Sequence, residues 1–228
     1  LAKTVLEVQN LSKNYNNIKA VSELSLSVQE QMIYGILGPN GSGKTTTLGM
    51  LLGVINPNQG SYSWFGNGTK DENRKRIGSL LETPNFYPYL TAEQNLGITA
   101  KIKEITDASS EIENVLKLVD LYERRNSKFK TFSLEMKQRL AIASALIGSP
   151  EVLVLDEPTN GLDPQGIAEI RDLIIEIGRN GQTIIIASHI LDEIEKICSH
   201  CAILKNGKLL RTGTIKEIIG NEENTLIQ

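Results

Sequence analysis

Residues 38–45 read Gly-Pro-Asn-Gly-Ser-Gly-Lys-Thr, and their spacing fits G-x-x-x-x-G-K-[ST], the pattern of a P-loop that wraps phosphate. Before it, Ile33-Tyr34-Gly35-Ile36-Leu37 is a short apolar run of strand type. After it, Thr45-Thr46-Thr47-Leu48-Gly49-Met50-Leu51-Leu52 can begin a helix at once. Strand, loop and helix in that order aim several backbone N–H groups, and the positive end of a helix dipole, at one point in space. Gly38, Pro39, Asn40, Gly41, Ser42 and Gly43 form the cradle, in which Gly41 and Gly43 allow torsions and a closeness to phosphate that a Cβ would forbid. Lys44 is expected to reach the β and γ phosphates and the Thr45 hydroxyl to sit on Mg2+, with Thr46 beside them in the nucleotide-binding set. The bland alternative is a glycine-rich turn with a chance lysine. It loses ground as the rest of the chain is read.

The chain has 228 residues, enough for one large domain, or a domain with a sizeable insertion, around a real core. Charged residues make up 22% and hydrophobic ones 40%, ordinary for a globular protein, and a net charge of −3 argues against a surface that coats nucleic acid. No apolar run approaches the roughly 20 residues that span a bilayer. Leu1-Ala2-Lys3-Thr4-Val5-Leu6-Glu7 lacks the apolar centre of a signal peptide. The expectation is a cytosolic protein whose membrane part, if it has one, is another chain. Cys198-Ser199-His200-Cys201 could suggest a metal or redox site, but His189 is the only other histidine, and a zinc site would need a second pair of ligands. The bland reading is two partly buried thiols at a helix-to-strand junction.

Along the chain, residues 4–8 and 24–28 read as strands, the second with the period-2 pattern of a half-exposed antiparallel strand. The asparagine-rich stretch 13–17 between them reads as a loop, where Tyr15 is either a surface aromatic or a platform for an adenine ring. Strands are expected at 61–65, ended by Gly66-Asn67-Gly68, and at 77–81, closed by Glu82; the two prolines of 83–89 disfavour helix there. A mostly helical section follows. Thr91-Ala92-Glu93-Gln94 is a capping box. Ile112, Val115, Leu116 and Val119 share one helix face. Ser133 can cap a helix holding Leu140, Ala143, Leu146 and Ile147, stopped by Gly148-Ser149-Pro150. Strand and helix then alternate again: a buried strand at 152–155, Asp163-Pro164 opening a helix whose core face carries Ile167, Ile170, Ile174 and Ile177, and a buried strand at 183–187 with His189 just past its end. Asn206-Gly207 between two apolar runs signals a hairpin.

Val152-Leu153-Val154-Leu155 runs straight into Asp156-Glu157. A buried strand fixes the two acids at its C-terminal edge, where open α/β sheets bind ligands. Asp156 would hold Mg2+ through water and Glu157 would polarise an attacking water. Two acids after a strand can be mere solvated loop, but a P-loop upstream makes the pair an NTPase signature.

The order of these pieces resembles the ATP-binding subunits of ABC transporters over nearly the whole length. The resemblance implies an α/β P-loop core with a mainly parallel sheet, an N-terminal antiparallel β subdomain and an inserted α-helical subdomain. On that plan 1–82 and 150–228 make the nucleotide-binding core and 83–149 the helical subdomain of a single cassette. It also implies that Tyr15 stacks on adenine, that Glu82 contacts Mg2+ and the membrane partner, and that His189 is the family's switch histidine. Phe132-Ser133-Leu134-Glu135-Met136 aligns with the Leu-Ser-Gly-Gly-Gln motif and Gly161-Leu162-Asp163 with the D-loop. Such cassettes hydrolyse ATP as head-to-tail dimers, each Leu-Ser-Gly-Gly-Gln helix capping the γ-phosphate held by the other copy.

Two departures from the family pattern matter. Glu82 stands where most members have glutamine, and a carboxylate can still serve magnesium as a hard oxygen ligand. Together with Thr83-Pro84-Asn85-Phe86-Tyr87-Pro88 and Met136-Lys137-Gln138-Arg139-Leu140, it resembles the branch serving bacitracin resistance and lantibiotic immunity. Glu135 occupies the motif's second glycine and sets a carboxylate where a phosphate would dock. The leading expectation is an ATPase that drives a separate membrane exporter of antimicrobial peptides or drugs, seated on the cytoplasmic face of the membrane through its permease. The alternatives are a soluble ABC ATPase not tied to transport, and a nucleotide-binding subunit whose hydrolysis Glu135 impairs.

Overall fold

In a computed structural model of the chain, the described residues are 3–66, 70–81 and 85–219. In order they form β1 (Thr4–Tyr15), β2 (Ile18–Gln29), β3 (Ile33–Leu37), α1 (Lys44–Leu51), β4 (Gln59–Trp64), α2 (Lys70–Lys75), β5 (Ile77–Leu80), α3 (Ala92–Ile102) and α4 (Ala108–Leu118). Then come α5 (Leu134–Leu146), β6 (Val152–Asp156), α6 (Pro164–Arg179), β7 (Thr183–Ser188), α7 (Leu191–Ile197), β8 (His200–Lys205), β9 (Lys208–Thr214) and α8 (Ile215–Ile219). The strands fall into two sheets, an antiparallel one ordered β2-β1-β4 and a mainly parallel one ordered β5-β6-β7-β3-β8-β9. This is the α/β plan that the motif order implied.

The parallel sheet is buried on both faces. Its strand residues alternate between two cores, as the pleat requires. Leu153, Leu155, Ile184 and Ile186 point toward α5 and α6, while Val152, Val154, Ile185 and Ala187 point toward α1 and the antiparallel sheet. That is why residues 152–155 and 184–187 are continuously apolar rather than alternating. Register runs from Ile33↔Ile184 to Leu37↔Ser188 and from Val152↔Thr183 to Asp156↔Ala187. The ends of β3, β6 and β7 therefore lie side by side on one edge of the sheet.

The helix starts follow local chemistry. Thr91 and Gln94 close a full capping box, Ser133 Oγ accepts from the Met136 N–H at 3.2 Å, and Asp163 Oδ1 accepts from the Gly166 N–H at 2.8 Å ahead of Pro164. Each satisfies an N–H that has no intrahelical partner.

Three readings need correction. Residues 13–15 are strand, not loop: Lys13, Asn14 and Tyr15 pair with Val21, Lys19 and Ile18, and only Asn16-Asn17 turn. An exposed hairpin end tolerates polar residues, so composition overstated the loop. Ile147 is fully buried but leaves the helix with ψ 131. Ile167 is only half-buried, and Leu173 takes a place in the buried face of α6. The turn residues Asn67 and Gly68, and residues 82–84, lie outside the described residues.

Candidate functional site

The P-loop joins β3 to α1 at the shared strand edge. Gly41 and Gly43 take φ of 77° and 102°, in the region where a side chain is strained. A Cβ on Gly43 would also stand 2.5 Å from the Ala20 carbonyl oxygen. Around the loop, Gly38 N–H donates to Ser188 O at 3.2 Å, Ser42 N–H to Pro39 O at 3.1 Å, and Gly207 N–H to Ser42 O at 3.0 Å. Thus β7 and the β8–β9 hairpin both hold the cradle in shape. Pro39, Asn40 and Gly41 are exposed at its lip, while Ser42 is buried with its hydroxyl lacking a protein partner.

Lys44 is 5% exposed, and a buried ammonium must be compensated. Its Nζ donates to Gly38 O at 2.8 Å and Pro39 O at 3.3 Å, and lies 3.2 Å from Glu157 Oε1 without hydrogen-bond alignment. The lysine therefore folds back onto its own loop, on carbonyls it can exchange for stronger, anionic acceptors. Next to it, the exposed Thr45 donates its hydroxyl to Asp156 Oδ2 at 2.7 Å, and Thr46 follows half-buried. A hydroxyl and a carboxylate converging beside a phosphate loop are hard oxygen donors of the kind Mg2+ takes, usually with substrate oxygens and water completing the shell. The pair fits that ion.

Glu157 follows Asp156 with φ 48, a left-handed conformation that costs a residue with a side chain. The backbone N–H donating to Ala187 O at 2.9 Å fixes that turn. Turning there sends the carboxylate sideways, with Oε1 toward Lys44 and Oε2 2.8 Å from His189 Nδ1. Gly38, Lys44, Thr45, Asp156, Glu157 and His189 thus form one contiguous set.

Ser133, Glu135 and Asp163 form a second cluster at the starts of α5 and α6. Glu135 does not stand alone: Arg139 Nε donates to Glu135 Oε1 at 2.6 Å and Arg139 Nη2 to Glu169 Oε2 at 2.7 Å. Burial works against the Arg139 charge, but its hydrogen bonds to Glu135 and Glu169 outweigh it and hold the guanidinium above its ordinary pKa. A Cβ added at Gly161 would stand 3.4 Å from Leu134 Cδ2, and one at Gly166 3.6 Å from Glu135 Cγ, so the start of α5 lies beside the segment after β6. Tyr15 stands apart at the tip of the first hairpin, 44% exposed, with Lys13 Nζ 5.2 Å over its ring. Glu82 lies outside the described residues.

The thiols of Cys198 and Cys201 sit where α7 gives way to β8, both buried. Burial pushes Cys201 up to about 11 and Cys198 further still. Residue reading missed Thr159, Ser188 and Glu193, three buried polar side chains bonded to one another behind Glu157 and His189. Their one sequence signal is a carboxylate on the apolar face that Ile194 and Ile197 define in α7.

A sequence model of the family described as "ABC transporter" matches residues 21–160. The bacitracin transport ATP-binding protein BcrA of Bacillus licheniformis is 48% identical over 91% of this chain and 69% of its own. The lantibiotic transport ATP-binding protein SrtF of Streptococcus pyogenes is 37% identical, covering 96% and 93%. Among solved structures, cbiO1 from Clostridium perfringens, part of the ABC transporter complex cbiONQ, superposes with a TM-score of 0.87 at 28% identity over 97% of this chain and 93% of its own.

Proposed function

The chain belongs to the ATP-binding cassette family of ABC transporters, and from that premise we propose that it drives a separate membrane permease by hydrolysing ATP. The observation that carries this reading is the contiguous set Lys44–Glu157–His189 with Thr45–Asp156. ATP's phosphates enter the cradle, and Lys44 exchanges the Gly38 and Pro39 carbonyls for β and γ oxygens. Thr45 and Asp156, with Glu82 as a further ligand, would hold magnesium, which would supply positive charge against the phosphates. Glu157 takes up the proton of the attacking water. His189 steadies the γ-phosphate, and its contact with Glu157 keeps both groups on the same side of it. Tyr15 stacks on adenine. Two copies close head to tail, so that the Ser133-capped helix of one meets the γ-phosphate of the other and Asp163 lines the seam.

For the permease, a groove of about 400 Å³ beside α3 is lined by Phe86, Tyr87, Ile98 and Ile102 and leaves Tyr87 50% and Ile102 77% exposed. Such apolar side chains, with Leu81 and Asn85 also in the lining, suit a membrane partner's cytoplasmic loop. Among the described residues no helix is long and apolar enough to cross a membrane, so attachment at the membrane's cytoplasmic face runs through that partner. Relatives named for bacitracin and lantibiotic transport support export of antimicrobial peptides or drugs as the cargo class. A second reading, a subunit that binds ATP but hydrolyses it slowly, rests on Glu135.

Replacing Lys44 with alanine tests the mechanism. Lys44→Ala should keep its fold and lose more than about a hundredfold in ATP turnover, because the charge answering the phosphates is gone. Normal affinity with normal turnover would refute the site. Co-purification with a polytopic membrane protein separates transport from a soluble role.

A further inference from the structure

The loop bearing Glu157 and the loop bearing His189 leave different strands, and one buried carboxylate grips both. Glu193, in the first turn of α7, is 2% exposed. Its two oxygens accept from the Thr159 hydroxyl at 2.7 and 2.8 Å, and its Oε2 also accepts from the Ser188 hydroxyl at 3.0 Å. Ser188 Oγ in turn accepts from the Ile190 N–H at 3.1 Å, so its own proton is directed to Glu193. Thr159 and Ser188 are themselves 2% and 0% exposed.

Position gives this clasp its meaning. Thr159 closely follows Glu157, and Ser188 directly precedes His189. Glu157 is held at φ 48, a conformation that persists only where surrounding bonds over-determine it. An apolar side chain at 193 would fill the same face beside Ile194 and Ile197 without burying a charge. Packing alone does not account for the carboxylate.

We propose that Glu193 is a positioning residue for hydrolysis: by clasping Thr159 and Ser188 it holds Glu157 and His189 in register with each other and with Lys44. The inference rests on the roles given to Glu157 and His189 above. It acts on geometry at the reacting end, not on the cradle that binds nucleotide. Turnover should suffer while binding does not.

Steady-state hydrolysis, with ATP affinity measured separately, tests this. Glu193→Ala should lower kcat about tenfold to a hundredfold with KM within about twofold. Glu193→Gln keeps an oxygen acceptor and should recover most of the loss. Thr159→Val removes the clasp from the other side; it should mimic Glu193→Ala, and the double variant should be no worse than either single. Parent-like kcat in Glu193→Ala, additive losses in the double variant, or equal loss of affinity and turnover in both Glu193 variants would each overturn the proposal. A readout that needs no turnover is the 15N spectrum of the His189 ring, which should move in Glu193→Ala as it should in Glu157→Gln. An unmoved ring overturns the clasp whatever the catalytic outcome. A moved ring in a chain whose parent form never hydrolyses ATP supports the clasp and counts against the proposed function alone.

Discussion

Glu135 lies at the helix start where the proposed closed pair would dock a partner's γ-phosphate, and Arg139 is the cation it meets. The pair is four residues apart on α5, the spacing at which helix side chains face one another. Arg139 is 13% exposed and also grips Glu169, so the Glu135 carboxylate is drawn toward α6, where it shares one cation with Glu169. The cost of a glutamate at this position therefore depends on the arginine. Arg139→Met should slow ATP turnover about fivefold in the parent but about twofold or less in a Glu135→Gly background, because only the parent then presents an unpaired carboxylate to phosphate. Removing Arg139 also breaks its bond to Val119 O, a loss common to both backgrounds that cancels in the comparison. Equal slowing in both would show that Arg139 serves the fold alone.

At the scale of elements, the β8–β9 hairpin does more than end the sheet. Asn206 and Gly207 take φ of 51° and 75°, the mirror-type turn that asparagine-glycine favours. The turn reaches across to the P-loop through Gly207 N–H and Ser42 O and receives Ser22 N–H on Gly207 O. A Cβ on Gly207 would stand 2.7 Å from Ala20 O. Gly207→Ala should therefore cost about 1–3 kcal/mol in denaturant unfolding and weaken ATP affinity through the cradle. An unchanged midpoint would mean that the hairpin tip yields freely. The turn itself was legible, because its two residues carry the signal. Its grip on the P-loop was not, because Ser42 and Gly207 are joined only by the sheet.

The same division holds for the whole molecule. Walker-type loops, helix caps and buried strands are local patterns, so the phosphate cradle, Asp156 and Glu157 could be read directly. Contacts such as Thr159 with Glu193, or Arg139 with Glu169, join residues 34 and 30 positions apart and arise from how β6, β7 and their helices stack. Residues 13–15 misled for the opposite reason: their local composition says turn, but pairing with β2 decides. In the proposed cycle two copies close on ATP and Glu157 reopens them by hydrolysis. Light scattering on Glu157→Gln with Mg-ATP tests it most directly, since the amide keeps the shape but cannot take the water's proton. A stable species of double the mass is expected with Mg-ATP and a single chain with Mg-ADP; a variant that stays a single chain with ATP bound would rule out the proposed cycle.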